Sequence, residues 1–307
     1  MDNRSEIDAE HSHLARLSDL LGMQGHISPP THHHVLLRQR RFHFLEWGTK
    51  GKPPLLFLHG GNQSARTWDA TCLALAEHYH CIALDQRGHG ESEWAYDGDY
   101  SPQSHADDID ALIGHLGWDR FVLVGMSMGG LNGLTFAARQ PHQLAGMIAV
   151  DVGPFIAMSG GRKISEFVQG NKAHQSLEDF VTAAMKFNPR RKRDLLRHSL
   201  THTVRQMADG SWTWKADRRF DMDYDQMSAY LKDLASAVTA INRPTLVVRG
   251  AQSDVMSSEQ QSRFVDLLQD GTAAIVQGAG HSIQGDNPMV LVEVIEPFLK
   301  SVFTQRK

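Results

Sequence analysis

At 307 residues the chain is longer than one average domain, yet an α/β fold built on one sheet with an insertion absorbs that length. Hydrophobic residues at 41%, charged residues at 21% and a net charge of -4 exclude the strongly basic surface that nucleic acid or an anionic membrane would call for, so the expected partner is a small molecule. Two cysteines, Cys72 and Cys81, exclude a disulfide framework and a cysteine metal site, which makes a reducing, cytoplasmic setting the expectation.

The first 33 residues read as an N-terminal extension. Asp2, Glu6, Asp8 and Glu10 stand where an export signal would need a basic start and an apolar run. Leu14, Leu17, Leu20 and Leu21 share one helical face before Pro29-Pro30 ends any helix, a face that could cover the body of the protein or a second copy, which makes a homodimer conceivable. His32-His33-His34, with His11, His13 and His26 nearby, reads as a polar linker. No carboxylate or cysteine joins these histidines at ligand spacing, so no metal is expected.

Val35 to Trp47 alternates in the manner of an edge hairpin, and Leu55-Leu56-Phe57-Leu58 is an apolar run suited to a strand buried on both faces. That run ends in His59-Gly60-Gly61-Asn62. A helical stretch through Trp68, Leu73 and Leu75, a strand at Cys81-Ile82-Ala83-Leu84, and a helix opened by Ser101-Pro102 follow. Phe121-Val122-Leu123-Val124 then leads into Gly125-Met126-Ser127-Met128-Gly129-Gly130, a helix runs from near Leu131 to Pro141, and Met147 to Val150 forms the next strand. Strands alternating with helices require crossover connections, hence a mostly parallel sheet covered on both faces. Nowhere is there an unbroken apolar run able to span a bilayer.

The alternation breaks from residue 155 to residue 241. There Phe167, Phe180, Met185, Leu195, Leu196, Leu200, Tyr230 and Leu231 fall at helical spacings, so the segment reads as a helical insertion between the two parts of a core, 34–154 and 242–307. Its Arg190-Arg191-Lys192-Arg193 cluster reads as a solvated helix end, and Gly210-Ser211-Trp212-Thr213-Trp214 as a turn with two aromatics. The rhythm resumes with a strand at Thr245 to Gly250, a helix near Glu259 to Leu268, a strand at Ala273 to Val276 and a last helix through Val290, Leu291, Val294, Ile295 and Phe298.

Open parallel sheets gather function at the carboxyl ends of their strands. A sharp strand-to-helix turn bounded by Gly125 and Gly129 would lift the Ser127 hydroxyl out of the sheet and leave the Met128 N–H free at a helix start. Serine needs a neutral imidazole to take its proton, and His281, in Gly278-Ala279-Gly280-His281-Ser282, is the candidate base. A carboxylate must hold that imidazole. Asp254 is preferred for its place before His281, over Asp151, which also ends a strand. The backbone N–H groups of Gly61 and Met128 are the candidate oxyanion donors, where losing one donor costs about 2.7 to 4 kcal/mol of transition-state stabilisation. His59 and His89 precede the serine and suit loop-stabilising roles, and Glu91, Asp107 and Asp108 read as solvated or helix-capping carboxylates.

Taken together, His59-Gly60-Gly61, the hexapeptide around Ser127, Asp254 and His281 resemble the α/β-hydrolase superfamily, and Asp85-Gln86-Arg87-Gly88-His89-Gly90-Glu91-Ser92 is similar to a loop of its single-domain esterase, lactonase and C–C hydrolase branches. The resemblance covers residues 35 to 303 and implies a structural role for His59, a helical cap formed by the insertion, and no cofactor. It implies acyl transfer from an ester or lactone to water. Serine rather than aspartate at the elbow speaks against dehalogenase and epoxide hydrolase chemistry. Hydrolytic C–C cleavage ranks second, because Gly61-Asn62-Gln63-Ser64 departs from the loop common in those relatives; a cofactor-free dioxygenase and a non-catalytic small-ligand receptor rank below it. Asn62, Phe155, Trp212 and Trp214, with Met158, are the candidates to line the substrate pocket.

Overall fold

The structure, a computed structural model, describes residues 3–23, 28–219 and 224–304. His26 lies outside them. A helix α1 (Asn3–Leu21) precedes the hairpin β1 (Thr31–Leu37) and β2 (Arg40–Trp47). Then come β3 (Pro54–Leu58), α2 (Asp69–Leu75), β4 (His80–Asp85), α3 (Pro102–Leu116), β5 (Phe121–Met126), α4 (Met128–Ala138) and β6 (Leu144–Val150). An insertion follows, with α5 (Met158–Gly170), β7 (Ala173–His174), α6 (Leu177–Phe187), α7 (Arg193–Thr203), β8 (Val204–Gln206), β9 (Trp212–Trp214) and α8 (Tyr224–Ala237). The chain closes with β10 (Thr245–Gly250), α9 (Ser258–Leu267), β11 (Gly271–Val276), α10 (Ile283–Asp286) and α11 (Pro288–Thr304).

Eight strands form one sheet in the order β1-β2-β4-β3-β5-β6-β10-β11. From β4 to β11 every pairing is parallel, and only β2 runs against its neighbours. The central strands are buried along almost all of their length because helices cover both faces: Leu56, Leu123 and Met147 pack under α3 and α4, while Phe57, Val124 and Ile148 pack under α2 and α11. Ser101 caps α3 by accepting from the Ser104 N–H, with Pro102 in the first turn where its missing N–H costs nothing. Cys72 and Cys81 are buried free thiols. Among the described residues no helix is long and apolar enough to cross a membrane.

Several expectations are corrected by packing. His32-His33-His34 is a strand, not a linker: β1 pairs with β2, His33 stacks on Phe44 with ring centroids 4.8 Å apart, and its Nε2 meets Glu46 at 2.6 Å. Trp212 to Trp214 is the middle strand of a three-stranded sheet, β7-β9-β8, rather than a turn. The basic cluster is only partly solvated, since Arg191 is buried and pairs with Asp286 at 2.9 Å. Asp108 is no surface carboxylate either; it holds the buried Arg87 guanidinium at 2.5 and 2.7 Å. The leucines of α1 turn inward, with Leu14 and Leu17 buried against Ala70 of α2 and Leu195 of α7.

Candidate active site

Strand register brings the site together. Met126 on β5 is level with Val150 on β6, so the residues that follow, Ser127 and Asp151, leave the sheet side by side. Both adopt backbone conformations that side chains resist: φ is 50° at Ser127 and 52° at Asp151. At the serine turn there is room for glycine alone. A Cβ on Gly125 would lie 2.6 Å from the Gly129 carbonyl oxygen, and one on Gly129 would lie 2.5 Å from the carbonyl oxygens of Leu58 and His59.

His281, in the loop after β11, reaches back across β10 to this pair. The Ser127 hydroxyl donates to His281 Nε2 at 3.1 Å, and His281 Nδ1 donates to Asp151 Oδ2 at 2.7 Å. The carboxylate fixes the tautomer, leaving Nε2 as the acceptor facing the serine. Asp151 is fully buried and well supplied with donors: Gly250 N–H reaches Oδ1 at 3.0 Å and the Ser253 hydroxyl reaches Oδ2 at 2.5 Å. Three donors on one carboxylate offset the cost of burying its charge.

Asp254, the acid preferred from sequence, is elsewhere. Its carboxylate is half-exposed and faces Lys163 of α5 at 3.4 Å. The turn after β10 aims Ser253 inward, where its oxygen accepts the N–H groups of Val255 and Met256, and so throws Asp254 outward. The sequence signal for Asp151 was an apolar strand ending directly in an acid, one strand from the serine.

A brace of buried polar groups supports the loop after β3. His59 donates through Nδ1 to the Gly60 carbonyl at 2.8 Å and accepts the Gln86 N–H on Nε2 at 3.0 Å, while the Gln86 amide bonds to the His59 carbonyl at 2.6 Å and to Asn132 at 2.8 Å. Burial pushes His59 below the usual histidine range against the pull of Asp85, in keeping with a neutral ring that both donates and accepts. His89 is likewise buried, held down to about 3 chiefly by that burial and by His59, and donates to the Arg87 carbonyl at 3.0 Å. The loop carrying His281 is fastened by Asp286, which accepts the Gly280 N–H at 2.9 Å and the Asn188 amide and Arg191 guanidinium of the insertion at 3.0 and 2.9 Å.

A cavity of about 1910 Å³ opens over the serine, lined by Gly61, Asn62, Ser127, Met128, Asp151 and His281 from the core and by Met158, Leu196, Leu200 and Trp214 from the insertion. Of the pocket candidates, Asn62, Met158 and Trp214 line this space. Phe155 does not: it packs against the core, with the Arg263 guanidinium 3.8 Å above its ring. Trp212 packs instead into the apolar cluster of the insertion. The described residues thus offer a hydroxyl, an imidazole and a carboxylate in one chain of hydrogen bonds, open to a largely apolar cavity.

Residues 53–288 match the model of the family described as alpha/beta hydrolase fold. The chain is 30% identical over 267 residues to esterase Rv0045c of Mycobacterium tuberculosis, a match covering 83% of this chain and 85% of that protein. It is also 30% identical over 255 residues to 2-(acetamidomethylene)succinate hydrolase of Mesorhizobium japonicum, covering 81% and 89%. The crystal structure of the Mycobacterium tuberculosis esterase superposes with a TM-score of 0.77 at 28% identity, over 95% of this chain and 98% of that one. With a family match spanning most of its length and the same architecture in a solved relative, the chain belongs to the α/β-hydrolase family.

Proposed function

We propose that the protein is a serine hydrolase that cleaves a carboxylic ester or lactone through an acyl-enzyme on Ser127. One observation carries this reading: the continuous hydrogen-bond path from Ser127 Oγ through His281 to the buried Asp151 carboxylate. As Ser127 Oγ attacks the carbonyl carbon, its proton passes to His281 Nε2, and Asp151 steadies the imidazolium. The backbone N–H groups of Met128 and Gly61, two residues that line the cavity, are the proposed donors to the oxyanion. Collapse returns the proton to the leaving alcohol. Water, deprotonated by His281, then releases the acid and restores the serine. The segment 155–241 acts as a cap whose lining selects the substrate, and the similarity to a named esterase supports the ester class.

The test is twofold: a fluorophosphonate probe and turnover of a series of aryl esters and lactones. Wild-type protein should be labelled at Ser127 and turn over; Ser127→Ala should lose both. Full turnover by that variant overturns the reading. A second reading is hydrolytic C–C cleavage by the same residues; the relative named for 2-(acetamidomethylene)succinate takes the family's substrates beyond simple esters without naming a C–C bond. Faster turnover of vinylogous diketones than of any ester or lactone would favour it.

A further inference from the structure

Away from the serine, three imidazoles from two elements converge. His13 projects from α1, and His198 and His202, four residues apart on one face of α7, meet it; one nitrogen from each ring lies within 4.8 Å of the other two. The His13 and His198 rings stack with centroids 4.4 Å apart, and His202 stands edge-on to both. Nε2 of His13 and Nε2 of His202 are buried and have no hydrogen-bond partner. Buried polar atoms without a partner are costly and uncommon, so two of them beside each other point to a missing ligand.

The surroundings suit a cation of a particular kind. His198 Nε2 bonds to the buried Asp69 carboxylate at 3.1 Å, the outer carboxylate that commonly orients a ligating imidazole and leaves its other nitrogen to bind. Asp69 also carries the Arg66 guanidinium at 3.4 Å, and its Oδ1 is buried without a partner, so carboxylate charge is at hand beside the rings. Tetrahedral coordination at about 2.0 to 2.1 Å places ligand nitrogens about 3.4 Å apart, so modest ring rotations close the set. An all-imidazole set selects zinc, copper, nickel or cobalt over magnesium or calcium.

We infer that His13, His198 and His202 form a binding site for one divalent transition-metal ion, with Asp69 as its outer carboxylate. Such an ion fastens α1 and α7 to α2, joining the N-terminal helix, the insertion and the core. The opposite face of α7 supplies Leu196, Ser199, Leu200 and Thr203 to the substrate cavity, so the ion also stiffens one wall of that cavity.

The experiment uses the full chain freed of metal with a chelator, titrated with zinc by calorimetry and with cobalt by absorption. One equivalent of zinc should bind, cobalt should show the intense d–d bands of a tetrahedral site, and zinc should raise the melting temperature by several degrees. His13→Ala, on the peripheral helix, and His202→Gln should each weaken zinc binding at least about tenfold, and Asp69→Asn should do so by about 10- to 100-fold. The variant with alanine at His32, His33 and His34, and the His281→Ala variant, should bind as the wild type does. Unchanged affinity and stoichiometry in the His13→Ala and His202→Gln double variant would overturn the assignment. So would a lack of saturable binding below about 100 µM free zinc, or loss of binding on replacing the His32 to His34 run.

Discussion

Asp151 Oδ2 and His281 Nδ1 are 2.7 Å apart across 130 positions of chain, and the same carboxylate accepts the Gly250 N–H and the Ser253 hydroxyl. The acid that orients the imidazole thus leaves the strand next to the serine's own. Replacing Asp151 by Asn removes the charge and invites the wrong imidazole tautomer, so Asp151→Asn should lower kcat by about 10⁴-fold. Asp254→Asn should leave turnover near wild type, because that half-exposed carboxylate pairs with Lys163 while Asp151 holds the imidazole. Steady-state kinetics of the two variants, side by side, check the assignment; equal losses would contradict it.

The turn at Ser127 should tolerate no added methyl. In Gly125→Ala the new Cβ would overlap backbone atoms of Gly129 and Gly130, at 2.6 and 2.7 Å, which cannot swing aside as a side chain would. The expected outcome is a loss of at least about 1 to 3 kcal/mol in unfolding free energy, with loss of fluorophosphonate labelling. Chemical denaturation and labelling of the same preparation provide the measurement.

Asp286 joins the histidine loop to the insertion. Asp286→Ala leaves the buried Arg191 charge and the Gly280 N–H unpaired, so about 3 to 5 kcal/mol of stability should go. Because Gly280 adjoins His281, kcat should fall as well. Urea unfolding midpoints with kinetics at saturating substrate would show both effects; a fall in stability with unchanged kcat would free His281 from this support.

Acid stability should depend on Asp85. Burial alone would raise this carboxyl, but the His43 bond at 2.7 Å, with His59 and the Ala65 N–H, brings it down to about 2 from an ordinary 3.8. A folded value below the unfolded one means the contribution is complete above about pH 4 and is lost as the pH falls toward 2, and it amounts to about 2 kcal/mol. Asp85→Asn should flatten the stability profile in that interval. Denaturant melts from pH 5 down to pH 2 are the check.

Much of this was legible in the sequence, for identifiable reasons. Ser127 and His281 were found because glycines mark the turn and the loop that hold them, and buried strands such as Leu55 to Leu58 announce themselves by unbroken apolar runs. Which carboxylate meets the imidazole was not legible. Asp151 and Asp254 both follow strands, and only the level pairing of Met126 with Val150 and the inward turn of Ser253 decide between them. The strands β7, β8 and β9 escaped because two or three residues cannot display a period. Three histidines in a row gave no hint of a strand, since β1 gains its stability from β2 and from the rings stacked across it. His13 and the pair on α7 are nearly two hundred residues apart, so only the docking of α1 reveals them as neighbours.

Among the described residues, six other than glycine have positive φ, and Asn62, Ser127 and Asp151 are three of them. All three border the cavity. Side chains thus stand around the cavity where the polypeptide would tolerate glycine better, a local strain of about 1 to 3 kcal/mol at each that lowers the stability available to the fold. On the proposed reading, Ser127→Gly should therefore raise the melting temperature while abolishing turnover, so heat-tolerant variants from an unselected library should be enriched in inactive ones.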